Sequence, residues 1–250
     1  MVDLVIINYN TLDYLNKLIE SIRKNTRISY NIIVVDNGSN DGSKEYLYKQ
    51  EDIKVVTNEK NMGYAAACNQ GIRVGIGDYI VLMNSDLEVT AEWLSPLVNC
   101  IKNNSDIAVV GPKLVNDRGL IVGAGTGFDF QLRGWLSPED APEFNKIADV
   151  LSVCGACYLI RRDLLEKLGY FDERYFFYFE ELDYSFNAIY NGYRVVYCPE
   201  SKVYHFITGY QPHSSNSGTR KSKEEYYDES REKFDAKWVY TGDSVLKKED

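Results

Sequence analysis

Apolar residues in the first half of the chain fall into two alternating patterns. Nearly unbroken runs of strand length occur at 2–8, 32–36, 53–57, 79–83 and 107–111. Between them, apolar side chains recur every three or four positions, as in Leu12, Leu15, Leu18, Ile19 and Ile22. Helices are also predicted at 43–49, over the small-residue stretch 64–71, and at 91–102. Continuous apolar runs suit strands buried on both faces, and a period near 3.6 suits helices packed on one face. The alternation predicts βαβ units with right-handed crossovers. The expected fold class is α/β, Rossmann-like, with a mostly parallel central sheet flanked by helices. Topology then gathers the strand ends Asn8, Asp36, Thr57 and Asn84 on one edge.

The alternation fails after Pro112. Asp117-Arg118-Gly119 signals a turn, 120–130 reads as a Gly-broken hairpin, and 131–146 reads as a surface loop with the character of a mobile lid. A strand is expected at 150–160 and a short helix at 162–168, ended by Gly169. The aromatic run Tyr175-Phe-Phe-Tyr-Phe179 leads into a helix at 181–190, stopped by Asn191-Gly192. Short strands are predicted at 193–197 and 202–205, a flexible loop at 207–222, and a helix at 223–237 beside Trp238. No repeat or linker is visible, so one unit is expected, with regions 1–112, 113–206 and 207–250. The middle region is the smaller, mixed part.

Composition acts mainly by exclusion. With 44% hydrophobic and 26% charged residues, the 250-residue chain is ordinary for a soluble globular protein. A net charge of −9 argues against general nucleic-acid binding but leaves room for a nucleotide site, where a metal and a few backbone donors suffice. No apolar run approaches the roughly 20 residues that cross a bilayer, so no transmembrane segment is expected. Met1-Val2-Asp3 enters the first strand without a basic leader, which points to a reducing, cytoplasmic compartment. The five cysteines then read as free thiols. Cys154-Gly155-Ala156-Cys157 has redox spacing but lies in an apolar run and reads as structural. The 20 tyrosines, many after position 158, suit a carbohydrate or partner surface as well as core and rim.

Five acidic residues can be placed near the sheet edge: Asp36, Asp86, Glu180, Glu181 and Asp183. Asp36 and Asp86 follow apolar strands, where ligands of open α/β sheets bind. The carboxylate of Asn84-Ser85-Asp86 can hold a divalent cation against a phosphate. The same residue types also cap and turn strand-to-helix junctions. Glu180-Glu181 follows five aromatics, a setting that desolvates a carboxylate and raises its pKa toward base duty. First-turn acids that complement a helix dipole are the competing explanation. Asn61, Gly63 and Asn69 suit nucleotide contacts or a tight turn with small-residue packing. His205 closes a short strand, as a ligand or as a structural histidine, and His213 lies in the loop. Neither a Walker phosphate loop, a Gly-x-Ser-x-Gly elbow nor a paired-His zinc motif is present.

Six segments follow one another in order. They are Val5-Ile-Ile-Asn-Tyr-Asn10, Ile33-Val-Val-Asp-Asn-Gly-Ser-Asn-Asp-Gly42 and Asn61-Met-Gly-Tyr-Ala-Ala-Ala-Cys-Asn-Gln-Gly71. Leu82-Met-Asn-Ser-Asp86, Val153-Cys-Gly-Ala-Cys-Tyr-Leu-Ile-Arg-Arg162 and Phe177-Tyr-Phe-Glu-Glu-Leu-Asp183 complete the set. Together they resemble inverting glycosyltransferases of family 2 with the GT-A fold, in the rhamnosyltransferase-like branch. The resemblance implies base contacts from Tyr9 and Asp36, and base and ribose contacts from Asn61, Gly63 and Asn69. It places Asn84 and Ser85 beside the donor, and Mg²⁺ or Mn²⁺ on Asp86 with His205 completing the ligands. It makes Glu181 the catalytic base, at a position usually held by Asp, with Glu180 and Asp183 the next candidates. The implied donor is a nucleoside-diphosphate sugar, UDP- or dTDP-linked. The implied acceptor is a saccharide, a lipid-linked saccharide or a glycoprotein, in cell-surface polysaccharide or glycoconjugate synthesis. Peripheral association with the inner face of the membrane and a homodimer are both compatible with it.

Two departures from the family pattern stand out. The metal motif has one carboxylate, and the Gln-x-x-Arg-Trp signature of processive synthases is missing, which implies one sugar per encounter. A nucleotidyltransferase would want a basic, Gly-rich loop after the first strand, and 8–13 contains neither Gly nor Lys. A non-catalytic nucleotide-sugar-binding protein is the other alternative.

Overall fold

Four parallel strands form the first half of the central sheet: β1 (Val2–Asn8), β2 (Tyr30–Asp36), β3 (Ile53–Thr57) and β4 (Tyr79–Asn84), in the order β3-β2-β1-β4. The helices α1 (Leu12–Asn25), α2 (Ser43–Leu47) and α3 (Tyr64–Val74) make the crossovers. The structure, a computed structural model, describes residues 1–206, 221–242 and 244–248. His213 and most of the loop expected at 207–222 lie outside the described residues.

Alternation along β1 explains the layering. Leu4 and Ile6 face α1, where Leu15, Leu18, Ile19 and Ile22 are fully buried. Each such side chain contributes roughly 1.5–3 kcal/mol by leaving water. Val5 and Ile7 face the other way, toward α3. Gly71 allows that approach, because a Cβ there would come within 2.2 Å of Val5 Cγ1.

The second half continues the sheet as β4-β9-β6-β10-β5. It comprises β5 (Leu87–Val89), β6 (Ile107–Val115), β9 (Cys157–Arg161) and β10 (Arg194–His205), with the short β7 (Ile121–Gly123) on β6 and β8 (Ala148–Asp149) on β10. β9 runs antiparallel between β4 and β6, while β6 and β10 are parallel. Helices α4 (Leu94–Lys102), α5 (Leu165–Leu168) and α6 (Glu180–Tyr190) pack on this half. Beyond the described gap, α7 (Lys223–Lys237) leads into a hairpin of β11 (Trp238–Tyr240) and β12 (Val245–Lys247). A small separate core of Leu151, Tyr175, Phe186, Phe234, Trp238 and Val245 seats that hairpin on α6.

Several expectations are corrected. Residues 150–160 are not one strand, because β9 begins only at Cys157, after the turn closed by Cys157 N donating to Cys154 O. No self-contained hairpin forms at 120–130, since β7 pairs back on β6 and Thr126 bridges to Leu132 and Ser152. The two short strands near the end are one, β10, with a register shift between Cys198 and Lys202. The helix expected from position 91 starts at Leu94, after a turn in which Glu92 is held at φ +57. The loop at 131–146 is fastened: the buried Lys113 Nζ donates to Glu139 O at 2.8 Å and to Asn145 Oδ1.

Candidate active site

The carboxyl ends of the parallel strands are wired together by short polar side chains. Asp36 accepts from Asn8 Nδ2 at 2.9 Å and from Ser39 N at 3.0 Å. Asn8 Oδ1 accepts from Thr11 Oγ1 at 2.8 Å, and Thr11 Oγ1 meets Ser85 Oγ at 2.5 Å. A continuous network thus spans the ends of β2, β1 and β4, with Tyr9 half-buried beside it. A second hub is Asn37, which the sequence did not single out. Its Nδ2 donates to Asn61 Oδ1 at 3.0 Å and Gly63 O at 3.2 Å, and its Oδ1 accepts from Asn58 and Met62. Gly63 has φ +90, and a Cβ there would lie 2.8 Å from Phe176 O, so its glycine is required by the backbone. Asn69 stands apart from this edge cluster. It is buried, and its amide holds Phe171 and Glu173, which makes it a packing pin.

Asp86 and His205 come together by strand register. Leu87 pairs with His205 where β5 runs antiparallel to β10, and Phe206 N donates to Asp86 O at 3.0 Å. The two side chains, 10% and 13% exposed, approach with His205 Nε2 3.5 Å from Asp86 Oδ1. Among the described residues no group of three or more His, Cys, Asp or Glu side chains is arranged as a metal cage. One carboxylate and one imidazole nonetheless fit Mg²⁺ or Mn²⁺ of the kind that takes its remaining ligands from substrate phosphates and water.

A turn at 154–156 links this edge to the acidic pair. Asn84 N donates to Ala156 O at 2.9 Å, and Tyr64 Oη donates to Gly155 O at 2.8 Å. A Cβ on Gly155 would touch Glu181 at 3.4 Å, so the Glu181 side chain lies directly over this glycine. The Cys154 thiol feels the charges of Glu181, Asp86 and Glu180 together, and burial pushes its pKa up to about 12. All five cysteines are free.

Glu180 and Glu181 open α6 directly after Tyr178 and Phe179, which are held at φ +68 and +70. Bulky residues in that region are strained by about 1–3 kcal/mol each and persist only where their surroundings fix them. Burial holds both carboxyls above the ordinary glutamate range, and the neighbouring Glu181 charge adds to the effect on Glu180. One buried oxygen on each, Oε2, has no hydrogen-bond partner. The two differ in access. Glu180 is 4% exposed, whereas Glu181 lines a cavity of about 760 Å³ together with Arg133, Trp135, Tyr178, Tyr227 and Trp238. Asp183 is fully engaged, accepting from Trp238 Nε1 at 2.7 Å, Lys237 Nζ at 2.8 Å and Tyr175 Oη at 3.2 Å. It is an anchor for the C-terminal hairpin rather than a free acid.

The family model for glycosyl transferase family 2 matches residues 3–169. The chain belongs to that family. A hexosyltransferase of low-salt glycan biosynthesis from Haloferax volcanii is 26% identical over 74% of this chain and 60% of its own length. An N-acetylglucosaminyl-diphospho-decaprenol L-rhamnosyltransferase from Mycobacterium tuberculosis is 23% identical over 87% of this chain and 81% of its own. The solved structure of GalNAc-T7 with UDP, GalNAc and Mn²⁺ superposes with a TM-score of 0.69 at 20% identity, over 87% of this chain and 46% of that one. The chain therefore spans about three-fifths of the first relative and under half of the solved structure. That likeness establishes the GT-A fold. The family 2 match stops at residue 169, so the acidic pair, His205 and the α7 wall of the cavity lie beyond it. Nothing in the sequence singles out Arg133 and Trp135 beyond their place in a loop, whereas Trp238 stands out beside the helix expected at 223–237.

Proposed function

We propose that this family 2 glycosyltransferase moves one sugar from a nucleoside-diphosphate sugar to an acceptor hydroxyl with inversion at the anomeric carbon. The observation that carries the reading is the Glu181 side chain, which lines a ligand-sized cavity and whose buried Oε2 has no hydrogen-bond partner. A carboxylate left unsatisfied in this way is available to accept a proton. Glu181 takes the acceptor hydroxyl's proton as that oxygen bonds to the anomeric carbon, and the bond from that carbon to the diphosphate breaks. The nucleoside diphosphate leaves with the bonding pair. Attack from the face opposite the diphosphate inverts the centre.

The donor side is built from the network of Asp36, Asn8, Thr11 and Ser85, with Tyr9 and the Asn61–Gly63 turn beside the base and ribose. Asp86 and His205 would hold Mg²⁺ or Mn²⁺, which when bound neutralises charge on the leaving diphosphate. Support for the metal and for a nucleotide donor comes from the GalNAc-T7 structure, which contains UDP and Mn²⁺. No helix among the described residues is long and apolar enough to cross a membrane, and the proposed site of action is the cytoplasmic face. A thermal-shift panel of UDP-, GDP- and dTDP-sugars with Mn²⁺ should find one donor that stabilises the fold. NMR of the product made from that donor should then show the opposite anomeric configuration. Retention, or pyrophosphate release from a nucleoside triphosphate and a sugar phosphate, would overturn the reading.

A further inference from the structure

A second cleft, of about 380 Å³, lies between α4 and β10 and shares no lining residue with the cavity at Glu181. Its walls include Asn99, Cys100 and Asn103 at the end of α4, and Arg194, Cys198 and Glu200 from β10. The helix period sets the first thiol. α4 buries Leu94, Leu97 and Ile101, and Cys100, three positions after Leu97, sits half-buried on the shoulder of that stripe. Facing it, Cys198 is 1% exposed and belongs to the core cluster against which Cys100 packs. The strand is irregular just beyond this second thiol. β10 pairs with β6 in one register as far as Cys198 and in another from Lys202, and the shift contains Pro199, which has no N–H to give a ladder. Ser201 Oγ fastens the bulge to the start of α4, donating to Trp93 O at 2.6 Å.

The two thiols interact directly, with Cys198 as donor and Cys100 as acceptor. That contact, helped by the Arg194 guanidinium, holds the Cys100 pKa below the ordinary thiol value, against burial and the charges of Glu200 and Asp149. Arg194 is itself bonded to Asp149 at 2.8 Å and Asp106 at 3.1 Å. The same thiol contact, together with burial, raises Cys198. Burial also raises the other three thiols, Cys68, Cys154 and Cys157. The more accessible sulfur of the cleft is therefore also the more acidic one, and its neighbour is shielded from solvent. Redox-responsive cysteines have this arrangement, an accessible low-pKa thiol poised beside a resolving one.

We propose that Cys100 and Cys198 are a peroxide-reactive pair that closes reversibly to a disulfide joining α4 to β10. The Cys100 thiolate attacks one oxygen of hydrogen peroxide, the O–O bond breaks, and hydroxide leaves, so that Cys100 becomes a sulfenic acid. The Cys198 sulfur then attacks the Cys100 sulfur. The S–O bond breaks, and the departing hydroxide takes the Cys198 proton and leaves as water. The two sulfurs are oxidised by two electrons in all, and one peroxide is reduced. A disulfide needs a closer approach than a thiol–thiol contact, and the bulge after Cys198 is where β10 can yield it. In a reducing compartment the bond is transient, reopened by a dithiol through thiol–disulfide exchange. This chemistry goes beyond sugar transfer and requires neither donor nor acceptor.

Hydrogen peroxide added in small excess to the reduced full chain tests this, with the products mapped by peptide mass spectrometry. The first disulfide to form should join Cys100 to Cys198 within one chain, and dithiothreitol should reverse it. In Cys198→Ala, which removes the resolving thiol, dimedone should trap a sulfenic acid on Cys100 about tenfold faster than on any other cysteine, the scale set by thiolate fraction and access. In Cys100→Ser, Cys198 should stay reduced at the same peroxide dose. The wild-type map decides the matter alone if either variant fails to fold. A map without the Cys100–Cys198 bond, or one in which Cys100 is joined to a second chain instead, overturns the inference. Dimedone labelling of Cys68, Cys154 or Cys157 as fast as that of Cys100 overturns it as well.

Discussion

The indole Nε1–H of Trp238 donates to the Asp183 carboxylate over 2.7 Å, joining the C-terminal hairpin to the helix that carries Glu181. Ser230 Oγ adds a bond to Phe177 O at 2.8 Å, and Phe234 packs 5.4 Å from Phe179, so α7 braces the strained turn before the acidic pair. Trp238→Phe keeps a ring and removes the donor. It should lower stability by about 1.5–3 kcal/mol, the range for a hydrogen bond to a charged group. Thermal denaturation should show a drop of several degrees, with kcat falling alongside. An unchanged melting temperature would mean that the bond does not brace α6.

Burial gives the acidic pair a definite pH dependence. The folded pKa of each glutamate is raised above its unfolded value of 4.5, so protonation favours the native state. That contribution to stability is fully present below 4.5 and is lost as pH rises through the folded values. Glu180→Gln replaces the less accessible acid by a neutral isostere. It should raise the melting temperature near neutral pH, and the gain should vanish once the pH falls below the unfolded value. A gain of the same size at both ends of the range would contradict the assignment.

At Gly63 the conformational and ligand-binding explanations part company. Gly63→Ala forces a Cβ against Phe176 O at a backbone angle that L-residues rarely adopt. A loss of at least about 1 kcal/mol in unliganded stability is expected. A variant with wild-type stability and weakened donor binding would instead make Gly63 a simple contact residue.

The cation pair has its own readout. Mn²⁺ should add to the thermal stabilisation that donor alone produces, because binding to the native state shifts unfolding by mass action. Asp86→Asn should abolish that increment and His205→Ala should reduce it. An undiminished increment in Asp86→Asn would place the cation elsewhere.

The first half of the fold was legible because each buried parallel strand is a continuous apolar run and each crossover helix keeps its period. The bounds of β1 and β3 follow directly from those runs. Past Pro112 the logic changes. Residues 150–153 are buried but form no strand of their own, with only an isolated bridge from Ser152 to Thr126 among the described residues, so composition alone could not separate them from β9. Asp86 with His205, and Glu180 with Glu181, were visible as residue types at strand and helix ends. Asp183 was visible as an acid of the same run, but two of its three partners, Lys237 and Trp238, come from more than fifty positions away, where no local pattern points back to it. Arg133 was equally hidden, since its significance lies in the cavity wall it shares with Glu181.

The central claim is that Glu181 is the base, and Glu181→Gln tests it most directly. The variant keeps the side-chain shape and removes the proton acceptor. With the stabilising donor and its best acceptor, single-turnover transfer should fall by about 10²–10⁴-fold, while the donor-induced thermal shift stays at the wild-type value. Transfer at the wild-type rate by a folded, donor-binding Glu181→Gln protein would contradict the account.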